Sequence, residues 1–259
     1  MSTRPLLVFD FDGVIIDGIH EYWWSARKTC LELLTTQSDT TSLTESIPDA
    51  FRQLRPWVHK GWEMVLIAAE LIRSESPLVT LGAKIFSQNY HLHCKEALQA
   101  WKWTPDQLQN ALENIRRQAI SNNRQSWLSK HRAAFPEVPN RLNELKAEGY
   151  EFAVLTTKGI EFTNALLNYL NLNPNLVYGH EAGSKTNILM KLSKTHVLRG
   201  FIEDRRTTLE TVLKATELRY LPCYLASWGY LKEEDQTNLG PNIHLLNKKT
   251  FMTPLASWP

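Results

Sequence analysis

A short apolar run, Leu6-Leu7-Val8-Phe9, opens the chain far from any comparable segment, and this isolation constrains the fold more than any other feature. A run of that length reads as a strand buried on both faces. Alone it has no partner. Strand character returns only after Pro136, where 142–148 reads as a helix stopped by Gly149, 150–155 as a strand, 161–170 as a helix and 176–178 as a short strand. A helix over 185–193, a strand over 200–202, a helix over 207–216 and a strand over 220–226 follow. Strands alternating with helices imply a doubly wound parallel sheet. The expected fold class is therefore α/β, and the opening strand must join that distant sheet.

Between the two parts the texture is helical. Candidate helices cover 21–34, 61–73, 84–100, 105–121 and 125–132, with a polar connection over 35–46 and punctuation at Ser76-Pro77 and Thr104-Pro105. The expected division is an α/β core built from 1–17 and 136–259, interrupted by an all-helical domain over 18–135. With 259 residues, 43% apolar and 22% charged, the chain can bury a sizeable core and is neither disordered nor fibrous. Its 29 basic and 27 acidic residues form no long run of either sign, so no nucleic-acid partner is expected. Cys30, Cys94 and Cys223 lie far apart without a CxxC pair, which favours reduced thiols. No run reaches the roughly 18 apolar residues of a membrane helix, and 6–9 is too short for a signal core, so a cytoplasmic protein without a membrane partner is expected.

In such a sheet, ligands bind outside the carboxyl ends of the strands. The first strand delivers Asp10 and Asp12, two carboxylates spaced to meet one cation, and then Gly13. Like charges held that close repel unless a cation sits between them. The strand over 150–155 delivers Thr156, Thr157 and Lys158; the strand over 200–202 delivers Glu203 and Asp204. Lys185 falls at a helix start, where the macrodipole disfavours a cation unless an anion meets it.

Asp10-Phe11-Asp12-Gly13, Thr156 after an apolar strand, Lys185, and Glu203-Asp204 after another strand resemble, in order, the four motifs of the haloacid dehalogenase-like hydrolase superfamily. Ile202-Glu203-Asp204 and Ser227-Trp228-Gly229-Tyr230 are similar to its β-phosphoglucomutase and phosphoglycolate phosphatase branch. The resemblance implies a Rossmann-like core, with the helical insertion as a mobile cap. It also implies Asp10 as nucleophile and Asp12 as proton donor and acceptor, with Thr156, Thr157 and Lys185 on the phosphoryl oxygens. Asp12 argues for phosphoryl transfer against dehalogenation, since the dehalogenases lack an acid there. Asp10, the carbonyl of Asp12, Glu203 and Asp204 would hold Mg²⁺, an all-oxygen set without His or Cys.

The expected activity is phosphatase action on a small phosphorylated metabolite; a sugar-phosphate mutase and a non-catalytic binding protein are the alternatives. The sequence departs from the family pattern at Arg205, Arg206 and Thr208, and it lacks the Lys-Pro pairing usual at the third motif, which leaves Lys191 and Lys194 as competitors of Lys185. Lys158 is a second candidate phosphate contact. Asp17 reads as a cap for the helix beginning near Gly18. In the insertion, Arg55, Lys60 and Glu63 beside Gly61 resemble the specificity loop of related enzymes. The tryptophans there read as core, and His91-x-His93-Cys94 cannot easily face one ion from a single helical run.

Overall fold

The computed structural model describes residues 4–34 and 43–259. The chain divides into two compact units, one formed by residues up to Asp17 together with Arg132–Pro259, the other by Gly18–His131. Most of the polar connection over 35–46 lies outside the described residues.

The first unit contains a six-stranded parallel sheet of β1 (Leu6–Phe9), β4 (Glu151–Leu155), β5 (Leu176–Tyr178), β6 (Leu198–Glu203), β7 (Cys223–Ala226) and β8 (Ile243–Leu246), ordered β5-β4-β1-β6-β7-β8. The isolated apolar run is thus a central strand, with Leu6 opposite Glu151 on one side and Leu198 on the other. A separate two-stranded ribbon pairs β2 (Ile16–Asp17) with β3 (Arg132–Ala133), antiparallel. That pairing puts Arg132–Phe135 with the α/β unit, so the division falls a few residues before the change of texture at Pro136.

Side chains alternate across β1 as the pleat requires. Leu6 and Val8 join Ala153, Leu155, Leu189, Leu192, Phe201, Leu209 and Val212 in one buried layer. Phe9 faces the other side and meets Phe152 and Phe251 edge-on; Phe251 also packs on Phe135, Trp228 and Trp258. The helices flanking the sheet are Val138–Ala147, Ile160–Tyr169, Lys185–Ser193, Arg206–Leu213 and the single turn Lys248–Phe251. β8 and Lys248–Phe251 are absent from the sequence expectation, because a four-residue strand bounded by Gly240-Pro241 and Asn247 carries too little pattern to read.

Buried Arg141 clasps the carboxyl-terminal segment against the sheet. Its guanidinium donates to the carbonyls of Phe251 and Thr253, both at 2.8 Å, and to Glu148 Oε1 at 2.6 Å, while Glu148 Oε2 accepts the Leu255 N–H at 2.9 Å. Partial burial works to raise the Glu148 carboxyl, but these hydrogen bonds and the Arg141 charge outweigh it and hold the group below its ordinary value. A carboxylate with a lowered folded pKa contributes stability above its unfolded pKa, near 4.3, that is lost as pH falls through the lowered value. Glu148→Gln is expected to cost about 1–3 kcal/mol near neutral pH. In thermal melts, its difference from the parent should close below about pH 4 as the parent carboxylate protonates. A difference that persists into acid would show that the clasp does not depend on the charge.

The second unit is helical: Ile19–Leu33, Asp49–Leu54, Gly61–Glu70, Pro77–Thr80, Ala83–Gln88, Tyr90–Trp101 and Pro105–Leu128. The helix expected over 84–100 is broken at Asn89, and the two expected over 105–121 and 125–132 form one span interrupted by non-helical backbone at Asn123. Its interior buries Glu21, Glu63 and Glu70. Glu21 accepts from Arg116 through both oxygens at 2.8 Å and from the Trp127 indole at 3.1 Å. Glu70 accepts from Arg73, the Ser76 hydroxyl and the Trp101 indole. Trp23 and Trp127 are fully buried, whereas Trp24, Trp57, Trp62, Trp101 and Trp103 are half-buried, so the tryptophan-rich insertion is core only in part. All three cysteines are buried and free, and burial pushes the Cys30 and Cys223 thiols up to about 12. No described helix is long and apolar enough to cross a membrane.

Candidate active site

Asp10 is the first residue past β1, and its N–H still pairs with Ile202 O at 2.8 Å, so its position follows from the sheet. Glu203 ends β6, the neighbouring strand, and Asp204 comes next. The two edges bring Asp10, Glu203 and Asp204 together, all buried, with one ligand oxygen of each within 4.8 Å of the others. Among the described residues this is the one His, Cys, Asp or Glu group of three so placed. His93 instead stacks on Phe86 and pairs with Glu96, and Cys94 is buried.

Lys185 begins the helix Lys185–Ser193, whose end is capped by Ser184 accepting from Asn187 N–H. Its ammonium donates to Asp10 Oδ1 at 2.5 Å and to Glu203 Oε2 at 2.7 Å. The macrodipole's objection to a cation at this helix end is met by two carboxylates. Lys191 and Lys194 are exposed on the same helix and its end. Glu203 Oε1 accepts the Asp204 N–H at 3.1 Å, so one carboxylate orients both the lysine and its neighbouring acid.

Negative charge is crowded here. Asp10 and Glu203 share the Lys185 ammonium with Asp204 close by, and burial together with the Glu203 charge pushes Asp10 up to about 7 against the pull of Lys185. Burial likewise raises Glu203, while the Asp10 and Glu203 charges hold Lys185 well above its ordinary value despite burial. A divalent cation would relieve this crowding, and an all-oxygen acidic set suits a hard cation.

Asp12 is half-exposed, and the Lys158 ammonium lies 3.3 Å from its Oδ1. Lys158 is itself buried, which a lysine tolerates only beside an anion. Thr156 is buried past β4; its N–H extends the ladder to Tyr178 O at 2.9 Å, and its hydroxyl accepts the Lys158 N–H at 3.1 Å. Thr157 is exposed. Gly13, at φ +91, and Gly229 form the walls beside Asp204: a Cβ at Gly13 would sit 1.9 Å from Asp204 Oδ2, and one at Gly229 would sit 2.2 Å from Asp204 Cβ. Any side chain at either position would displace the acid.

Arg206 is drawn off to the surface, donating to Glu210 and to the carbonyls of Thr237 and Asn238. Arg205 stands at the amino-terminal cap of the helix Arg206–Leu213, and Thr208 lies in its first turn. Asp17 accepts the Tyr230 hydroxyl at 2.5 Å, and Gly18 occupies the cap position of the helix that follows.

In the helical unit, Arg55 lies over the Tyr22 ring, 5.0 Å from its centroid, and Lys60 is exposed at the start of Gly61–Glu70. Glu63 is buried, accepting from His59 N–H at 2.7 Å and the Tyr90 hydroxyl at 3.0 Å. Sequence reasoning did not foresee Tyr230, whose N–H donates to Asp204 Oδ2 at 2.8 Å. Its neighbours Trp228 and Gly229, in the quoted segment after the last expected strand, were the available signal.

Buried acids with Lys158 and Lys185 at the carboxyl edge of the central strands of a parallel sheet stand where such folds bind their ligands. The chain belongs to the haloacid dehalogenase-like hydrolases, whose family pattern matches residues 5–198. No curated protein matches the chain. Solved structures share the fold. A predicted phosphoglycolate phosphatase from Haemophilus somnus aligns at TM-score 0.59 and 15% identity, covering 97% of this chain and 96% of that one. A haloacid dehalogenase-like hydrolase from Streptococcus pneumoniae aligns at 0.54 and 18%, covering 99% and 97%. A candidate β-phosphoglucomutase from Thermotoga maritima aligns at 0.54 and 13%, covering 95% and 96%.

Proposed function

We propose that the protein is a Mg²⁺-dependent phosphatase that hydrolyses a small phosphorylated metabolite through an aspartyl-phosphate on Asp10. The observation that carries this reading is the ammonium of Lys185 bridging Asp10 and Glu203 inside a buried cluster of three carboxylates whose oxygens lie within 4.8 Å of one another. Asp10, the Asp12 carbonyl, Glu203 and Asp204 would hold Mg²⁺, which supplies charge neutralisation at the transferring phosphoryl group.

An Asp10 carboxylate oxygen forms a bond to phosphorus as the ester P–O bond breaks, and Asp12 gives its proton to the leaving oxygen. Water then attacks the aspartyl-phosphate, Asp12 takes the water's proton, and the P–O bond to Asp10 breaks, releasing phosphate and restoring the enzyme. The Lys158 ammonium, 3.3 Å from Asp12 Oδ1, orients that carboxyl group for both transfers. Lys185 and the Thr156 hydroxyl, with Thr157 at the same strand end, serve the phosphoryl oxygens. Arg55 and Lys60 are the candidate substrate contacts of the helical unit; Glu63, buried and hydrogen-bonded within it, holds that loop in place.

The test is phosphate release from a panel of small phosphoesters with Mg²⁺, with product analysis on a hexose 1-phosphate. Free phosphate supports a phosphatase. An isomerised sugar phosphate without release would make the protein a mutase, and no turnover on any ester would remove both readings. Lys185→Ala is expected to lower kcat by about 10²- to 10³-fold. Lys185→Arg should rescue little, because a planar fork cannot replace a compact ammonium between two oxygens at 2.5 and 2.7 Å. Near-normal kcat in Lys185→Ala would remove the lysine from the reaction.

A further inference from the structure

Asp204 sits where repulsion from Asp10 and Glu203 should rotate it outward. Its Oδ2 instead accepts the Tyr230 N–H at 2.8 Å, which restrains that rotation. That N–H belongs to the turn after β7, which the Gly229 N–H to Ala226 O bond closes at 3.1 Å, and side chains tie that turn to the segment leaving β1. Two of them do so. The Trp228 indole donates to Val14 O at 3.0 Å, and the Tyr230 hydroxyl donates to Asp17 Oδ1 at 2.5 Å. Both acceptors lie on the segment leaving β1, and Asp17 is itself fixed opposite Arg132 in the β2–β3 ribbon. The loop after β7 is thus laced to the loop after β1, with Gly229 and Gly13 leaving room for the Asp204 carboxylate between them.

We propose that Tyr230 is a positioning residue for the acidic cluster: the bond from its hydroxyl to Asp17 fixes the backbone N–H that anchors Asp204 Oδ2, holding that carboxylate in the orientation from which it can meet a divalent cation. The inference rests on the reading of that cluster as a cation site. Tyr230 acts through Asp204 and takes no part in the chemistry. Partners of this kind, bonded to a metal-binding side chain, typically change metal affinity by about 10- to 100-fold when removed. Because the N–H itself survives in Tyr230→Phe, the effect should lie at the low end of that range.

The experiment is calorimetric titration of the metal-free full-length protein with Mg²⁺, well below the melting temperature. Tyr230→Phe and Asp17→Ala are each expected to weaken binding by about tenfold. The double variant should be no weaker than either single one, since both break one bond. Asp17→Asn, which keeps an acceptor oxygen, should bind within about twofold of the parent and shows that the bond matters rather than the charge. At saturating Mg²⁺, kcat of Tyr230→Phe should stay within about threefold of the parent, so that the change falls on cation affinity. A lower melting temperature with unchanged Mg²⁺ affinity would reduce Tyr230 to a structural role and overturn the proposal, as would additive effects of the two substitutions. If Tyr230→Phe does not fold, Asp17→Ala against Asp17→Asn decides alone. Absence of Mg²⁺ binding by the parent protein would instead overturn the cation site, and the positioning role with it.

Discussion

Asp10→Asn is expected to remove phosphate release by at least about 10³-fold while leaving the melting temperature unchanged or higher. The two effects have one cause. The carboxylate proposed to attack phosphorus is also the one that burial and Glu203 have pushed up to about 7. An amide of the same shape cannot form the aspartyl-phosphate, but it removes one carboxylate from a buried cluster of three. Sites built for chemistry often cost stability, so the substitution should trade one for the other. Phosphate release and a thermal melt on the same preparation check both. Retained activity would remove Asp10 as nucleophile, and a large drop in melting temperature would mean that the cluster serves the fold.

Arg116→Ala should be the most damaging substitution in the helical unit, at about 3–5 kcal/mol, the usual consequence of leaving a buried charge uncompensated. Glu21 has no exposure to water, and Arg116 supplies both of its charge-assisted hydrogen bonds. Two further neighbours are the Trp127 indole and His131, whose Nε2 lies 3.7 Å away. Neither replaces a bidentate guanidinium. Chemical denaturation followed by tryptophan fluorescence measures the loss. The double variant Glu21→Gln, Arg116→Met should recover much of it, since a neutral pair leaves no orphaned charge. A loss below about 1 kcal/mol for Arg116→Ala would show that water reaches Glu21.

The legible parts of this chain are those where one short segment carries its whole signal. Leu6–Phe9 is apolar throughout because it is a central strand covered on both faces, and Asp10 follows it at the sheet edge. Lys185–Ser193 begins and ends where Ser184 and the apolar spacing of Ile188, Leu189 and Leu192 place it. Illegible were the features made by two distant segments at once. Nothing near Glu21 announces Arg116, and nothing near Lys158 announces Asp12. The β2–β3 ribbon joins two pairs of residues, too short for periodicity to register. The Tyr230 N–H on Asp204 is a backbone contact, marked in the sequence only indirectly by Trp228 and Gly229 beside it.

The central placement of β1 also sets a schedule. Its partners β4 and β6 begin at Glu151 and Leu198, so the first hydrophobic strand leaves the ribosome long before either can receive it. At about 5–20 residues per second the wait is on the order of ten seconds or more. During that interval an unpaired, wholly apolar segment is a target for chaperones and for other chains. The late, long-range closure of the sheet, more than any local helix, should therefore govern how fast and how cleanly this protein reaches its native state.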